Sequence, residues 1–152
     1  MEVVTLWLAA DDSTPENGCL RVIPGTQHLE FFEILERKDV DNVLSSGIDE
    51  NVVDASKAVD IILKAGDVSI HHPNVIHGSD ANHSDKWRRG LTIRYIPAST
   101  RIVTDKPVWE AAFLLRGQAV PGVNTYNPWP KYDPEHSMKF KGCENWPPPG
   151  RG

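Results

Sequence analysis

Apolar positions along this chain come in short runs, each closed by a cluster of turn-forming residues. Val3–Ala10 is the first, with β-branched residues and Trp7, and it ends at Asp11-Asp12-Ser13-Thr14-Pro15-Glu16-Asn17-Gly18, a dense turn signal. Cys19–Ile23 reads as a second strand closed by Pro24-Gly25. An Asn-Gly-containing turn between two strands predicts that they pair antiparallel. Val59–Leu63 is another run, followed by the tight turn Ala65-Gly66-Asp67, and Val68–Ile70 and Val75–Ile76 continue as strand with a break at Pro73-Asn74. After a polar loop over Gly78–Lys86, Leu91–Ile96 alternates apolar and polar residues well enough to be a strand. Short strands at this spacing predict a mainly all-β fold, an antiparallel sandwich or barrel of the jelly-roll type.

Three stretches depart from that pattern. From Leu29 to Val53 the apolar residues Phe31, Phe32, Ile34, Leu35, Val40, Val43 and Leu44 are spaced in a partly helical way, with Gly47 as a stop. The segment is read as a short, partly helical surface insertion between strands. Trp109–Arg116 offers a second short helical stretch. Seven of the 12 prolines lie beyond residue 110, ending in Pro147-Pro148-Pro149. Proline lacks the amide donor and fixes φ, so this tail is expected to be an irregular, extended segment wrapping the main body. The division that follows is a jelly-roll part over 1–100 and a helix with proline-rich tail over 101–152.

The chain has 152 residues, enough for one compact domain, and its 39% hydrophobic and 24% charged composition makes a core available. The net charge is -5 and no basic block stands out, which argues against nucleic acid or an anionic membrane as partner. No apolar run approaches the roughly 20 residues of a membrane span. Met1-Glu2-Val3-Val4 lacks the basic start and cleavage site of a secretory signal, and Cys19 and Cys143 make no disulfide framework. These absences point to a reducing, cytoplasmic setting. Oligomeric state is not legible.

The densest polar cluster runs from His71 to Arg94, and four of the six histidines (His71, His72, His77 and His83) lie within it. Imidazole is the commonest metal ligand near neutral pH, so a metal site is the first functional idea. The plainer alternative is that these are strand-end histidines satisfied by backbone and water. His77 is the best single candidate, because it follows Val75-Ile76 and opens a Gly-Ser turn at the mouth of a sheet. Arg88, at the start of the next strand, could present its planar fork to a carboxylate held by a metal on His77. Its plainer alternative, shared with Arg89, is a solvated pair. His71 and His72 are consecutive, so at most one can face the side of His77. A structural zinc site from His71, His77, His83 and Asp80 or Asp85 ranks lowest, such sites being cysteine-rich and more tightly spaced.

Several segments together resemble the phytanoyl-CoA dioxygenase-like family. Gly18-Cys19-Leu20-Arg21-Val22-Ile23-Pro24-Gly25-Thr26-Gln27-His28 resembles one of its signatures. Gly66-Asp67-Val68, then Val75-Ile76-His77-Gly78-Ser79 with Asn82 and Ser84, is similar to its distal-histidine motif. Arg88-Arg89-Gly90-Leu91 matches the arginine segment after it. Trp7 with Ala9, and Leu114-Leu115-Arg116-Gly117, fit the same pattern.

The resemblance implies a double-stranded β-helix (a jelly roll) that binds Fe(II) and the cosubstrate 2-oxoglutarate, and hydroxylates a small organic substrate. Carried over by motif, His77 is the distal iron ligand and Arg88 anchors the far carboxylate of 2-oxoglutarate. Ser79 and Trp7 line the cosubstrate pocket. Asn17, Gly18, Pro24 and Gly25 shape a turn and a strand end. The family's His-x-Asp pair lies upstream of the strand that carries Trp7, and here only Met1–Leu6 precede it. The one His-x-Asp present, His83-Ser84-Asp85, lies downstream of His77 in a different place. The expectation is therefore an incomplete jelly roll, the C-terminal part of a longer oxygenase and inactive alone. The alternative is a non-catalytic jelly-roll binding module that has lost the metal site. Trp109, Tyr126, Trp129 and Tyr132 could form a lid or could merely fasten the tail.

Overall fold

The computed structural model describes residues 3–29, 33–36, 46–103 and 111–129. These fall in two compact units, one comprising Val3–Tyr95 and the other Ile96–Trp146. The first holds strands Val4–Ala9 (β1), Leu20–Val22 (β2), Leu35–Glu36 (β3), Ser46–Gly47 (β4), Val59–Ile61 (β5), Val68–His71 (β6), His77–Ser79 (β7) and Gly90–Tyr95 (β8). The second holds Ala111–Ala112 (β9) and Thr125–Tyr126 (β10).

Two three-stranded antiparallel sheets, in the orders β6-β1-β8 and β5-β2-β7, make the first unit an all-β jelly roll. Alternation along β1 sorts its side chains: Thr5, Trp7 and Ala9 are buried, while Leu6 and Leu8 face the other way. Residues opposite each other in an antiparallel pair share a face. Thr5 therefore stands in a row between His71 and Arg94, and Trp7 in a row between Ser69 and Thr92. The outer rows are apolar, with Leu6 between Ile70 and Ile93 and Leu8 between Val68 and Leu91. This sheet thus carries polar groups inward and aliphatic ones outward, and Ile70 is 69% exposed.

The expected hairpin between the first two strands is not formed, since β1 and β2 belong to different sheets. The turn explains it. A two-residue Asn-Gly loop would fold one strand back on the other, but here the link is long and contains a 3-10 turn at Pro15–Asn17. Asn17, 2% exposed, is the post of that link. Its Oδ1 accepts from the Thr14 amide at 2.8 Å, and its Nδ2 donates to the carbonyls of Asp12 at 2.7 Å and Trp87 at 3.2 Å. Gly18 follows with φ +74°, and a Cβ there would lie 2.6 Å from the Asp80 carbonyl oxygen. Only glycine suits both demands. The residues of this turn that the motif reading treated as architectural are so placed.

Where the structure is described, neither stretch expected to be helical contains an α-helix. Among the described residues of the insertion, β3 pairs antiparallel with β4, which includes Gly47, and Glu50–Val52 is a 3-10 turn, with another just beyond at Ala55–Lys57. Phe31, Phe32, Val40, Val43 and Leu44 lie outside the described residues. Within 109–116, Ala111–Ala112 is strand and pairs in parallel with Thr125–Tyr126. The local apolar spacing was too short to nucleate a helix against a competing strand partner. In this second unit Asn124 accepts from the Ile102 amide at 2.9 Å and donates to the Thr100 carbonyl at 2.7 Å. The proline-rich run beyond residue 129, with Trp109, Tyr132 and Cys143, lies outside the described residues. No helix among those described is long and apolar enough to cross a membrane.

Candidate cosubstrate and metal site

The inner faces of the two sheets meet at four side chains named from the motifs. His77 and Ser79 sit opposite Val22 and Leu20 on β2, and Leu20 is buried, so both point inward. The Gly-Ser turn expected after His77 is strand instead, and its alternation puts His77 and Ser79 on one side with Gly78 on the other. Nor are the strands of His77 and Arg88 neighbours in one sheet. β7 pairs with β2, whereas Arg88 leads into β8, which pairs with β1. The two residues approach from facing sheets.

Arg88 Nη2 donates to Ser79 Oγ at 3.4 Å, and its guanidinium carbon stands 5.9 Å from the centroid of the Trp7 ring. No carboxylate among the described residues pairs with it. Arg89 differs. Its Nε and Nη2 donate to the two carboxylate oxygens of Asp11, each at 2.8 Å, and its amide donates to Asp11 as well. These bonds hold the Asp11 carboxyl at about 2, below its ordinary 3.8. Of two adjacent arginines, one is bonded into the fold through Asp11 and the other has no carboxylate partner among the described residues. Trp7 itself is set by Gly90, since a Cβ at that position would clash with the indole.

His77 is oriented by its neighbours. Its Nδ1 lies 2.8 Å from the Val75 carbonyl oxygen, which can only accept, so Nδ1 carries the proton and Nε2 has the lone pair that a metal would need. Metal-binding histidines are held in this way. Thr26, quoted in the signature but given no role there, anchors the approach. Its Oγ1 accepts from the Ile76 amide at 2.8 Å and donates to the Ile23 carbonyl at 2.7 Å.

Of the consecutive pair, His71 faces this side, its ring centroid 5.7 Å from that of His77. Burial, with His77 and Arg94 adding to it, pushes the His71 imidazole below its ordinary value. His72 serves a turn, its Nδ1 accepting from the Asn74 amide at 3.1 Å. The zinc arrangement is not formed. Asp80 is paired with Arg21 at 3.0 Å, and no three His, Cys, Asp or Glu side chains among the described residues converge on a metal position. That holds for His83 and Asp85 too. In the second unit Trp129 packs on Phe113 at 6.1 Å, as a fastening aromatic would.

The fold and this site define a jelly-roll protein of the cupin kind. A family model described as phytanoyl-CoA dioxygenase matches residues 1–90, and the chain belongs to that family. The likeness over Leu114–Gly117 falls outside the matched range. A phytanoyl-CoA dioxygenase domain-containing protein 1 homolog of Dictyostelium discoideum is 31% identical over 68% of this chain and 38% of its own length. The peroxisomal phytanoyl-CoA dioxygenase of Bos taurus is 29% identical over 66% of this chain and 30% of its own. The chain thus spans about a third of the length of the curated relatives it matches. Among solved structures, the apo form of the non-heme monooxygenase ThoJ superposes with a TM-score of 0.65 at 25% identity, over 86% of this chain and 45% of that one.

Membership of this family supports Fe(II) and 2-oxoglutarate as metal and cosubstrate. The residues present fit them unequally. Arg88, Ser79 and Trp7 suit one carboxylate, offering a cationic fork, a hydroxyl and an aromatic wall. For iron, the described residues fit one ligand position, His77 Nε2.

Proposed function

We propose that this chain is the C-terminal part of an Fe(II)- and 2-oxoglutarate-dependent oxygenase that hydroxylates a small organic substrate. The observation that carries the reading is the gathering of Arg88, Ser79 and Trp7 on the inner face beside His77, with Arg88 lacking a carboxylate partner among the described residues. Arg88 and Ser79 hold the far carboxylate of 2-oxoglutarate, and Trp7 shields one side of the guanidinium from water, which strengthens the pairing. His77 supplies one protein ligand through Nε2. The other ligands are assigned to the part of the relatives' length that this chain does not cover. When bound, the iron and cosubstrate supply the O2-dependent oxidation of a C–H bond.

Calorimetry of the chain with 2-oxoglutarate tests this. Binding should be lost in Arg88→Gln and kept in Arg89→Gln; equal losses would place the anchor elsewhere. A second reading, a binding module that keeps the carboxylate receptor without iron, is favoured by His77 having no companion ligands among the described residues. Anaerobic Fe(II) added with 2-oxoglutarate separates the two. A visible charge-transfer band in a protein restored to its relatives' full length, lost in His77→Ala, supports the oxygenase. No band in that protein supports the module.

A further inference from the structure

Beside the carboxylate receptor, the inner face of the sheet β6-β1-β8 holds a second set of polar groups that the reading above does not use. Thr5 Oγ1, Ser69 Oγ and His71 Nδ1 are all buried without a hydrogen-bond partner. Folded proteins rarely leave such groups unpaired, and a cluster of them marks a place where something polar binds. Ser13 Oγ is likewise unpaired but stands apart, at its bridge to Leu63. The other three are neighbours. Thr5 lies directly between His71 and Arg94 in the register, and Ser69 is two residues from His71 on the same face. Thr5 is only 4% exposed. Arg94 makes no ion pair with any carboxylate among the described residues, yet its charge is felt at His71.

We propose that the row His71–Thr5–Arg94, with Ser69, is the subsite that takes an oxyanion of the substrate, a carboxylate or its equivalent, next to His77. The proposal deepens the oxygenase reading and rests on it. The donor set favours an anion: two hydroxyls that can each donate, an imidazole nitrogen, and a guanidinium whose planar fork suits a carboxylate. Position separates it from the cosubstrate receptor. Arg88 lies against Trp7, whereas this row is two residues further along β1 and adjoins His77 through His71. A ligand held there would be placed beside the metal histidine and away from the Arg88 anchor.

The test is an NMR titration of the chain with propionate, a monocarboxylate lacking the keto acid and second carboxylate of 2-oxoglutarate. Saturable shifts are expected at Thr5, Ser69 and His71. Arg94→Gln should weaken them about tenfold, the loss expected of a charge-assisted hydrogen bond. Thr5→Val, which keeps the shape and removes the hydroxyl, should weaken them by a smaller factor. No saturable shift at these three residues, or an unchanged affinity in an Arg94→Gln protein with a native spectrum, overturns the subsite. A parallel titration with 2-oxoglutarate reads Trp7 and Ser79. Silence there, with propionate still seen at His71, counts against the cosubstrate reading and leaves the oxyanion subsite standing.

Discussion

Gly90 lies beneath the indole of Trp7, so close that a Cβ at position 90 would clash with ring atoms Cζ2 and Cε2. Ala9 on the central strand and Gly90 on its neighbour form the floor on which the tryptophan leans, and Trp7 in turn faces the Arg88 guanidinium. Gly90→Ala must therefore push the indole aside. Overpacking of this kind costs about 1–3 kcal/mol, and a lower urea midpoint is the expected result. The same variant should bind 2-oxoglutarate more weakly, because the wall of the receptor has moved. A variant with native stability and native affinity would show that Trp7 has room to relocate.

Thr26 holds the chain just before His77 from a distance of fifty positions in sequence, one hydroxyl serving the Ile76 amide and the Ile23 carbonyl. Thr26→Val keeps the shape and strands both backbone groups, for a loss of about 1–3 kcal/mol. Hydrogen exchange at the Ile76 amide should accelerate accordingly, and Thr26→Ser should restore its protection. Unchanged exchange in Thr26→Val would mean that the Ile23–Ile76 backbone bond, at 2.9 Å, suffices alone.

The chain order of strands was legible because alternation is a local signal. Leu91, Ile93 and Tyr95 against Thr92 and Arg94 announce β8, and the run containing Trp7 announces β1. Partnership was not legible. That β1 lies between β6 and β8 depends on pairings across some sixty to ninety positions, and the Asn-Gly in the intervening turn suggested a nearer partner. His77 and Arg88 were found by motif, and the structure adds how the two arginines differ: Arg89 is bonded to Asp11, whereas Arg88 meets Ser79 and Trp7. His71 stood out only as one of a loose histidine cluster, and Thr5 and Ser69 gave no signal, since a hydroxyl in an apolar run reads as a strand residue until its hydrogen-bond partners can be sought. In the insertion, the pairing of Leu35–Glu36 with Ser46–Gly47 was not legible, since strands of two residues leave no alternation to read.

Sheet β6-β1-β8 turns Leu6, Leu8, Val68, Ile70, Leu91 and Ile93 outward, and Val68, Ile70 and Leu91 are exposed on it. A contiguous aliphatic sheet face promotes association between molecules. Static light scattering of the chain should show apparent mass rising with concentration. The double variant Ile70→Thr/Leu91→Thr places strand-favouring β-branched residues at both positions and should reduce that rise. An identical concentration dependence in wild type and variant would move the source of association to another surface.

Asp11 and Arg89 give the fold its most direct pH signature. The Asp11 carboxyl lies at about 2 against an ordinary 3.8, mainly through its hydrogen bonds from the Arg89 side chain and amide, with a smaller share from the Arg89 charge. A carboxylate whose value falls on folding stabilises the native state above its unfolded value, and that contribution fades as the pH drops towards the folded one. The loss should therefore fall between about pH 4 and pH 2. The pair is partly solvated, so its worth at neutral pH is about 1 kcal/mol, the upper end for such pairs given the two-pronged geometry. Urea midpoints of wild type and Asp11→Asn should differ at pH 6 and converge as the pH falls towards 2. Asp54, also lowered by its hydrogen bonds, titrates alike in both proteins and cancels from that difference, whereas Asp12 loses the small upward push of the Asp11 charge in the variant. A gap that stays constant down to pH 2 would mean that Asp11 acts through packing and not through its charge.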